Sequence, residues 1–263
     1  MTNSASPCRE ERAGARKWLI WAHSALIYAW IAVGTLILGL ATLAVSVFSR
    51  QGHMGHRVGQ AWGRSILAVS GVSVVVSGLE RLEPAKAYVF MANHQSNFDI
   101  PVLLGRLPVQ FRWLAKAELF KIPLFGRAMR AAGYISIDRA DRNAAFQSLG
   151  EAAEALRRGV SIMIFPEGTR SLDGALKPFK KGGFVMAINA GAAVVPVAIR
   201  GTYGIMPKSA WLMRPQDVTL EIGEPIASSA YTPDTKEALM ERVREVLSRG
   251  FDGPTAGEAR CSG

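Results

Sequence analysis

A histidine and an aspartate stand five residues apart in the stretch Asn-His-Gln-Ser-Asn-Phe-Asp, residues 93–99. Imidazole is the side chain best suited to moving protons near neutral pH. A carboxylate held against one ring nitrogen fixes the tautomer, leaves the other nitrogen free to accept a proton, and stabilises the imidazolium that forms. His94 and Asp99 therefore fit the roles of a general base and its orienting partner.

The hydroxyl on which such a base acts has no candidate in the chain itself. There is no G-x-S-x-G and no other signature of a nucleophilic serine, so we expect the hydroxyl to belong to a substrate. The spacing also permits a structural alternative, in which His94 ends a strand and Asp99 caps a helix that begins near residue 100. Asp is favoured at the N-cap and Pro, here Pro101, in the first turn, and Asp99 could both cap and orient.

The elements that position this pair are short apolar runs that alternate with helical patterns from residue 71 onward. The predicted strands occupy residues 72–76, 88–92, 111–115, 134–137, 161–165, 194–199 and 218–222. The predicted helices occupy residues 143–158 and 179–190, and a last one opens at residues 232–234. This alternation predicts an α/β fold with a mixed, partly parallel sheet of about seven strands flanked by helices.

Three further strand ends carry polar residues, and in such sheets functional sites gather at the carboxyl ends of strands. In chain order these residues are Lys116, Arg139, and the run Glu167, Gly168, Thr169 and Arg170. Cations around a base suit a phosphate-bearing substrate. Each stretch also has a structural alternative, as a turn at residues 167–168 and as solvated charges at Lys116 and Arg139.

The composition excludes several classes of protein. An apolar content of 49% excludes general disorder, and the net charge of +10 favours anionic partners. The two cysteines, Cys8 and Cys261, lie in the polar ends and do not indicate a disulfide scaffold. No zinc spacing or H-E-x-x-H occurs, so we expect no metal and no cofactor. His53 and His56 are interpreted as polar loop residues.

A long uncharged segment precedes the α/β pattern. Residues 18–49 contain no Asp, Glu, Lys or Arg. This uncharged stretch is longer than the roughly 20 apolar residues needed to span a bilayer. Residues 54–69 mix apolar and basic positions and could form an interfacial amphipathic helix. The alternatives are a membrane span, a membrane-dipping helical hairpin and a buried core helix. The predicted domains are a basic tail (1–17), a membrane-associated helical segment (18–70), the α/β domain (71–251) and a disordered tail (252–263).

Together the motifs closely resemble those of the glycerolipid acyltransferase family. The N-H-x-x-x-x-D pattern stands at residues 93–99, K-x-E-L at 116–119, G-x-I-x-I-D-R at 133–139, F-P-E-G-T-R-S at 165–171 and V-P-V at 195–197. They occur in the family's order, with Ser136 where an aromatic residue is common. The resemblance covers about residues 75 to 225, and an N-terminal membrane helix or hairpin also suits bacterial members.

The resemblance implies that His94 takes the proton from the free hydroxyl of a lysophospholipid while Asp99 orients the imidazole. The alkoxide would attack the thioester of acyl-CoA or acyl-carrier protein directly, giving phosphatidic acid when the acceptor is 1-acyl-sn-glycerol 3-phosphate. Gly168 and its neighbours, including Thr169, would shape the acceptor and oxyanion region. Arg170, Arg139 and Lys116 would bind the acceptor phosphate, and Glu167 would hold either the loop or the acceptor glycerol.

Several alternatives stay open from the sequence. The acceptor could be another lysolipid, such as a lyso-ornithine lipid or lysophosphatidylethanolamine, and a non-enzymatic basic membrane protein that binds anionic lipid is a different class. We expect anionic membrane lipids and no nucleic acid as partners. The expected location is the bacterial inner membrane, with the active domain on the cytoplasmic face.

Overall fold

The computed structural model describes residues 7–49 and 52–252. The helices are α1 (Pro7–Ser46), α2 (His53–Ser70), α3 (Asp99–Arg106), α4 (Phe125–Ala131), α5 (Arg142–Arg157), α6 (Gly182–Ala190), α7 (Thr202–Ile205) and α8 (Lys236–Asp252). The strands are β1 (Val74–Ser77), β2 (Val89–Ala92), β3 (Phe111–Lys116), β4 (Ile135–Ile137), β5 (Ser161–Ile164), β6 (Val194–Arg200) and β7 (Val218–Ile222). All seven predicted strands form, with ends that shift by up to two residues.

The seven strands form one sheet in the order β1-β7-β6-β2-β5-β3-β4. Strands β2 to β6 run parallel to one another, and β6 pairs antiparallel with β7. The predicted mixed α/β sheet is therefore confirmed. Because β2, β3, β4 and β5 share one direction, the residues that follow them reach the same edge of the sheet.

Helices cover both faces of this sheet and divide the core into two clusters. Alternate side chains of β2 point to opposite faces, as strand geometry requires: Phe90 packs with α2 and α3, whereas Val89 and Met91 pack with α5, α6 and α8. The short α4, which the sequence did not predict, packs against α1 beside the edge of the sheet that carries β3 and β4.

The first two helices form a hairpin that lies on the α3 face of the sheet. Trp30 Nε1 donates to Ser65 Oγ, and Trp62 Nε1 donates to Thr35 Oγ1, both at 3.1 Å. Gly63 lets α2 approach α3 closely, since a Cβ there would lie 2.8 Å from the Gly105 nitrogen. The stretch Lys17–Ser46 is long and apolar enough to cross a membrane, and 22% of its most apolar window is buried. Such low burial is atypical of a core helix.

The structure differs from the sequence-based expectations at several points in this region. Helix α1 begins at Pro7, within the segment predicted as a tail, and residues 1–6 and 253–263 lie outside the described residues. The side chains of Cys8 and Cys261 also lie outside them.

The interpretation of His56 as a polar loop residue is wrong, because His56 lies in α2 and is fully buried. Its two ring nitrogens lie 3.2 Å from Tyr134 Oη and 3.2 Å from the Val109 carbonyl oxygen. Burial lowers the pKa of His56 to about 3, so its imidazole is neutral.

The buried side chain of Asn93 joins the end of β2 to β6. Its Nδ2 donates to the Ile199 carbonyl at 2.9 Å, and its Oδ1 accepts from the Ile199 nitrogen at 2.7 Å. These two side-chain bonds continue the pairing of β2 with β6 by one residue, in place of backbone hydrogen bonds. It fixes the direction in which the chain leaves β2, immediately before His94.

We predict that Asn93→Ala lowers the free energy of unfolding by about 2–4 kcal/mol, because two buried backbone groups of Ile199 lose their partners. Denaturant unfolding followed by circular dichroism measures the change. Asn143→Ala, in the exposed first turn of α5, is the matched control and should change the value by less than 0.5 kcal/mol, as is usual at the surface (about ±0.5 kcal/mol). Equal values for the two variants would contradict the assigned role of Asn93.

Candidate active site

His94 and Asp99 meet in a direct hydrogen bond. The sequence places His94 two residues after β2 and Asp99 in the first turn of α3, and the loop between them folds back so that His94 Nδ1 lies 2.8 Å from Asp99 Oδ2. Asp99 is fully buried, whereas the His94 side chain keeps 14% of its surface exposed. The carboxylate therefore assigns the proton to Nδ1 and leaves Nε2 as the acceptor.

Asp99 holds the loop as well as the imidazole. Its Oδ2 also accepts from the backbone nitrogens of Gln95 at 2.8 Å and Ser96 at 2.9 Å. These donors precede Asp99 in the chain, and Phe98, which occupies the N-cap of α3, makes no side-chain capping bond. The carboxylate is thus turned back toward His94, away from the helix that the structural alternative would have it cap.

The imidazole is also held by a ring on its flat face. Phe165, the first residue after β5, stacks on His94 with ring centroids 3.9 Å apart and an interplanar angle of 7°. The ring therefore has an orienting bond at one edge and an aromatic contact on one face. No hydrogen bond of His94 Nε2 is found among the described residues, and His94 lines a cavity. This geometry leaves Nε2 able to accept a proton from a bound molecule.

Glu167 supports the backbone on which His94 sits. Its Oε1 accepts from the His94 nitrogen at 2.7 Å, and its Oε2 accepts from the Lys177 nitrogen at 2.8 Å. The residue is only 2% exposed. Burial raises the pKa of Glu167, and the two backbone N–H donors oppose that rise. Both carboxylate oxygens are occupied, which favours the loop-holding role over contact with an acceptor glycerol.

The turn after Glu167 depends on a glycine. Gly168 has φ 76°, a conformation that strongly favours glycine. Its nitrogen donates to the Phe165 carbonyl at 3.0 Å, and its carbonyl accepts from Arg139 Nη1. The guanidinium of Arg139, which follows β4, is therefore bound to the loop that follows β5. This contact links two of the stretches that the sequence placed at one sheet edge.

Among the described residues, four cationic side chains line the cavity that His94 also lines: Lys116, Arg139, Arg170 and Lys208. Exposed Lys116 is paired with Glu118 at 3.2 Å. The Arg170 guanidinium forms no hydrogen bond or ion pair with the described part of the chain. Thr169 also lines the cavity, and Lys208 Nζ lies 3.5 Å from Thr169 Oγ1. The structure thus brings Lys116, Arg139, Gly168, Thr169 and Arg170 together with His94, while Asp99 and Glu167 act behind it.

Lys208 is a site residue that the sequence reasoning missed. It follows β6, whose carboxyl end reaches the same edge as those of β2 and β5. The available signal was its place in an acid-free run, residues 202–216, directly after a predicted strand.

The remainder of the cavity wall is largely apolar and comes from the helical hairpin and α4. The cavity has a volume of about 650 Å³, within the range of about 300–1,000 Å³ typical of ligand sites. Its hairpin and α4 lining includes Leu38, Val58, Trp62, Phe125 and Met129. The sequence did not predict these contacts, because an apolar helical face looks the same whether it meets a core or a cavity. Among the described residues there is no group of three or more His, Cys, Asp or Glu side chains that could hold a metal ion.

Known proteins that resemble this chain in sequence or structure are acyltransferases. A family model described as Acyltransferase matches residues 73–200. The chloroplastic 1-acyl-sn-glycerol-3-phosphate acyltransferase LPAT1 of Arabidopsis thaliana is 38% identical over 199 residues, which are 75% of this chain and 54% of that protein. The chain therefore spans about half the length of that relative.

Two other relatives are matched over most of their own length. The human 1-acyl-sn-glycerol-3-phosphate acyltransferase alpha is 31% identical over 218 residues, 82% of this chain and 77% of that protein. The crystal structure of the 1-acyl-sn-glycerophosphate acyltransferase PlsC from Thermotoga maritima is similar with a TM-score of 0.78 and 33% identity, covering 90% of this chain and 96% of that one. This chain therefore belongs to the acyltransferase family that includes the 1-acyl-sn-glycerol-3-phosphate acyltransferases.

Proposed function

We propose that this chain is a membrane-bound O-acyltransferase that acylates the sn-2 hydroxyl of 1-acyl-sn-glycerol 3-phosphate, giving phosphatidic acid. The observation that carries the proposal is a single cavity in which an oriented base, His94, stands beside cations and a long apolar wall. A lysophospholipid matches these three parts: its hydroxyl suits the base, its phosphate suits the cations, and its acyl chain suits the apolar wall. A non-enzymatic lipid-binding role gives no reason for the oriented imidazole.

The chemical step uses His94 as base and then as acid. Nε2 takes the proton of the acceptor hydroxyl as its oxygen attacks the carbonyl carbon of the acyl thioester. When the tetrahedral intermediate collapses, the carbon–sulfur bond breaks and the thiolate of the donor takes the proton back from His94. Asp99 stabilises the imidazolium between these events. Such proton transfer contributes about 10²–10⁴-fold, and positioning two bound substrates can contribute more.

The loop after β5 supports the charge that develops on the carbonyl oxygen. The backbone N–H groups of Thr169 and Arg170 donate to no acceptor within the described ranges, and both residues line the cavity. Backbone donors of this kind, fixed before the reaction, suit a developing oxyanion. The turn at Gly168 and the buried carboxylate of Glu167 hold this loop against His94.

The cations favour a phosphate-bearing acceptor. Arginine presents a planar fork of donors that matches phosphate geometry. Arg170 has no partner among the described residues, so its guanidinium is free for a ligand, whereas that of Arg139 also holds the Gly168 carbonyl. We therefore assign Arg170 as the principal phosphate ligand, with Arg139 and Lys208 beside it and Lys116 as a weaker contributor.

The hairpin α1–α2 would bring the site to its lipid substrate. The contacts of helix α1 with the α/β layer include one at Ser24, whose Oγ accepts from the Met213 nitrogen at 2.9 Å, and one at Gly39, where a Cβ would lie 3.4 Å from Leu124. These positions are about 22 Å apart along a helix that rises 1.5 Å per residue. A bilayer-crossing α1 would pull the attached α/β layer into the hydrocarbon. We therefore favour a hairpin embedded in one leaflet over a full span.

This arrangement leaves the donor to reach the site from the aqueous side. We propose acyl-CoA or acyl-carrier protein as donor, with no further cofactor, and the cytoplasmic face of a bacterial inner membrane as the location. The net charge of +10 would attract anionic lipids, with each basic residue near the surface adding about 1 kcal/mol.

The decisive experiment offers a panel of lysolipids to the purified chain with one labelled acyl-CoA and identifies the products by mass. We expect labelled phosphatidic acid from lysophosphatidic acid, and at least tenfold slower transfer to lysophosphatidylethanolamine or a lyso-ornithine lipid. With the donor alone, no label should remain on the denatured protein, because the acceptor supplies the nucleophile. A preferred acceptor without a phosphate monoester, or label on the protein that lysolipid releases, would refute the corresponding part of the proposal.

We expect His94→Ala to lower kcat by at least 10³-fold, because no second imidazole and no carboxylate of the described residues lines the cavity. Asp99→Asn should lower kcat by 10²- to 10⁴-fold, since an amide can hold the ring but cannot stabilise the imidazolium. Both variants should remain folded by circular dichroism. Normal turnover in Asp99→Asn would refute the role of Asp99 in stabilising the imidazolium and leave only its role in holding the loop.

We expect Arg170→Ala to raise the Michaelis constant for lysophosphatidic acid more than tenfold while changing that for acyl-CoA less than threefold. Arg170→Lys should restore only part of the loss, because a point charge cannot reproduce the planar fork. Steady-state kinetics with each substrate varied in turn measures both constants, and a melting curve checks the fold. A rise confined to the acyl-CoA constant would show that Arg170 serves the phosphates of the donor.

A further inference from the structure

The segment of residues 207–214, between α7 and β7, carries an exposed aromatic side chain with no packing role in the core. Trp211 is 78% exposed. Lys208 and Arg214, three residues to either side, are also exposed, and residues 202–216 contain no acidic side chain. A tryptophan between cations, without acids, is the composition that lies stably at the headgroup level of an anionic bilayer.

Hydrogen bonds fix this segment to the apolar helix α1. Tyr28 Oη donates to the Trp211 carbonyl at 2.9 Å, and the Met213 nitrogen donates to Ser24 Oγ at 2.9 Å. Ser24 and Tyr28 are one helical turn apart, so the segment is held at a defined level of α1. Its exposed indole therefore lies beside α1 at the level of Tyr28, on the side of the helix that also carries exposed Trp21.

The loop after Arg170 adds an apolar side chain beside α7. Leu172 is 64% exposed, and its carbonyl accepts from Tyr203 Oη at 2.9 Å. Leu172 lies two residues after Arg170, and Trp211 lies three residues after Lys208. Both cations line the catalytic cavity. The two exposed apolar side chains thus lie on two of the segments that supply cations to the cavity.

We propose that Trp211, supported by Leu172, is a second membrane contact that enters the headgroup layer of an anionic phospholipid bilayer beside α1. This contact fixes the tilt of the α/β domain. It places Lys208 and Arg170 at the depth of the lipid phosphates, so that a lysolipid can move from the bilayer into the cavity with its phosphate at headgroup level throughout. The inference rests on the membrane association in the proposed function and adds to it a named contact outside the hairpin.

The test measures contact with lipid directly, without an activity assay. In the full chain with Cys8→Ser and Cys261→Ser, single cysteines are introduced by Trp211→Cys, Ile37→Cys or Phe146→Cys and labelled with an environment-sensitive fluorophore. Phe146 is the matched control, since it is a 75% exposed aromatic residue on α5, on the opposite face of the sheet from α1. Vesicles of phosphatidylethanolamine and phosphatidylglycerol carry nitroxide-labelled phospholipid as quencher.

We expect the labels at positions 37 and 211 to shift to the blue and lose more than half of their emission, and the label at 146 to stay unchanged. A quenched label at 37 with an unquenched label at 211 overturns the second contact and leaves the hairpin anchor intact. Equal quenching at 211 and 146 also overturns it, because the contact would then be non-specific. No quenching at 37 refutes the membrane association itself, and the inference falls with it.

A charge substitution gives an independent measurement. Trp211→Glu should weaken binding to the same vesicles at least fivefold in a sedimentation assay, whereas Phe146→Glu should leave it within twofold. The hydrogen bond from Tyr28 goes to the backbone of residue 211, so the fold should survive, as checked by a melting curve. Equal vesicle affinity for the folded Trp211→Glu variant and the unchanged chain would overturn the proposal.

Discussion

The buried carboxylate of Asp99 is the interaction on which the active site depends. One oxygen accepts from the imidazole of His94 and from the backbone nitrogens of Gln95 and Ser96. A buried charge is costly unless it is hydrogen-bonded, and bonds to an ionised acceptor are about twice as strong as neutral ones. The same three bonds to Oδ2 therefore offset part of the cost of burying the charge, while Oδ1 has no hydrogen-bond partner among the described residues. They also close the loop and select the tautomer of His94.

Other contacts fix His94 through its backbone and its ring. Asn93 holds the preceding residue to β6, and Glu167 accepts from the His94 nitrogen. The His94 carbonyl accepts from the Ser171 nitrogen at 2.8 Å, and Phe165 stacks on the ring. The base is therefore tied to β2 and to its two neighbours in the sheet, β5 and β6. Such support from regular elements is what holds a catalytic group in one geometry.

The two faces of the sheet have different tasks. On one face, α5, α6 and α8 complete a closed apolar core. On the other, the hairpin and α4 pack against α3 and the sheet but leave a cavity that reaches His94. The hairpin has one apolar side that lines this cavity and another that is exposed on the protein surface. It therefore links the proposed membrane anchor to the proposed acyl site.

The sequence by itself determined the parts that are local in the chain. The spacing of His94 and Asp99 predicted their pairing, because a five-residue loop brings the two side chains within reach. The strand pattern predicted the sheet, and the shared direction of parallel strands placed Arg139 and Arg170 at one edge. These conclusions need only strand periodicity and the rule that sites gather where parallel strands end.

Only the tertiary structure decided the roles that depend on distant partners. The backbone N–H groups of His94 and Lys177 donate to the Glu167 carboxylate, and no sequence motif indicates these two contacts. His56 is buried by Tyr134 and Val109, far along the chain, and Lys208 reaches the cavity only because β6 lies next to β2. The cavity itself arises where two helices fail to fill the space beside the sheet. An amphipathic pattern records that a face is apolar, but the packing of other elements decides whether that face meets a core, a cavity or a lipid.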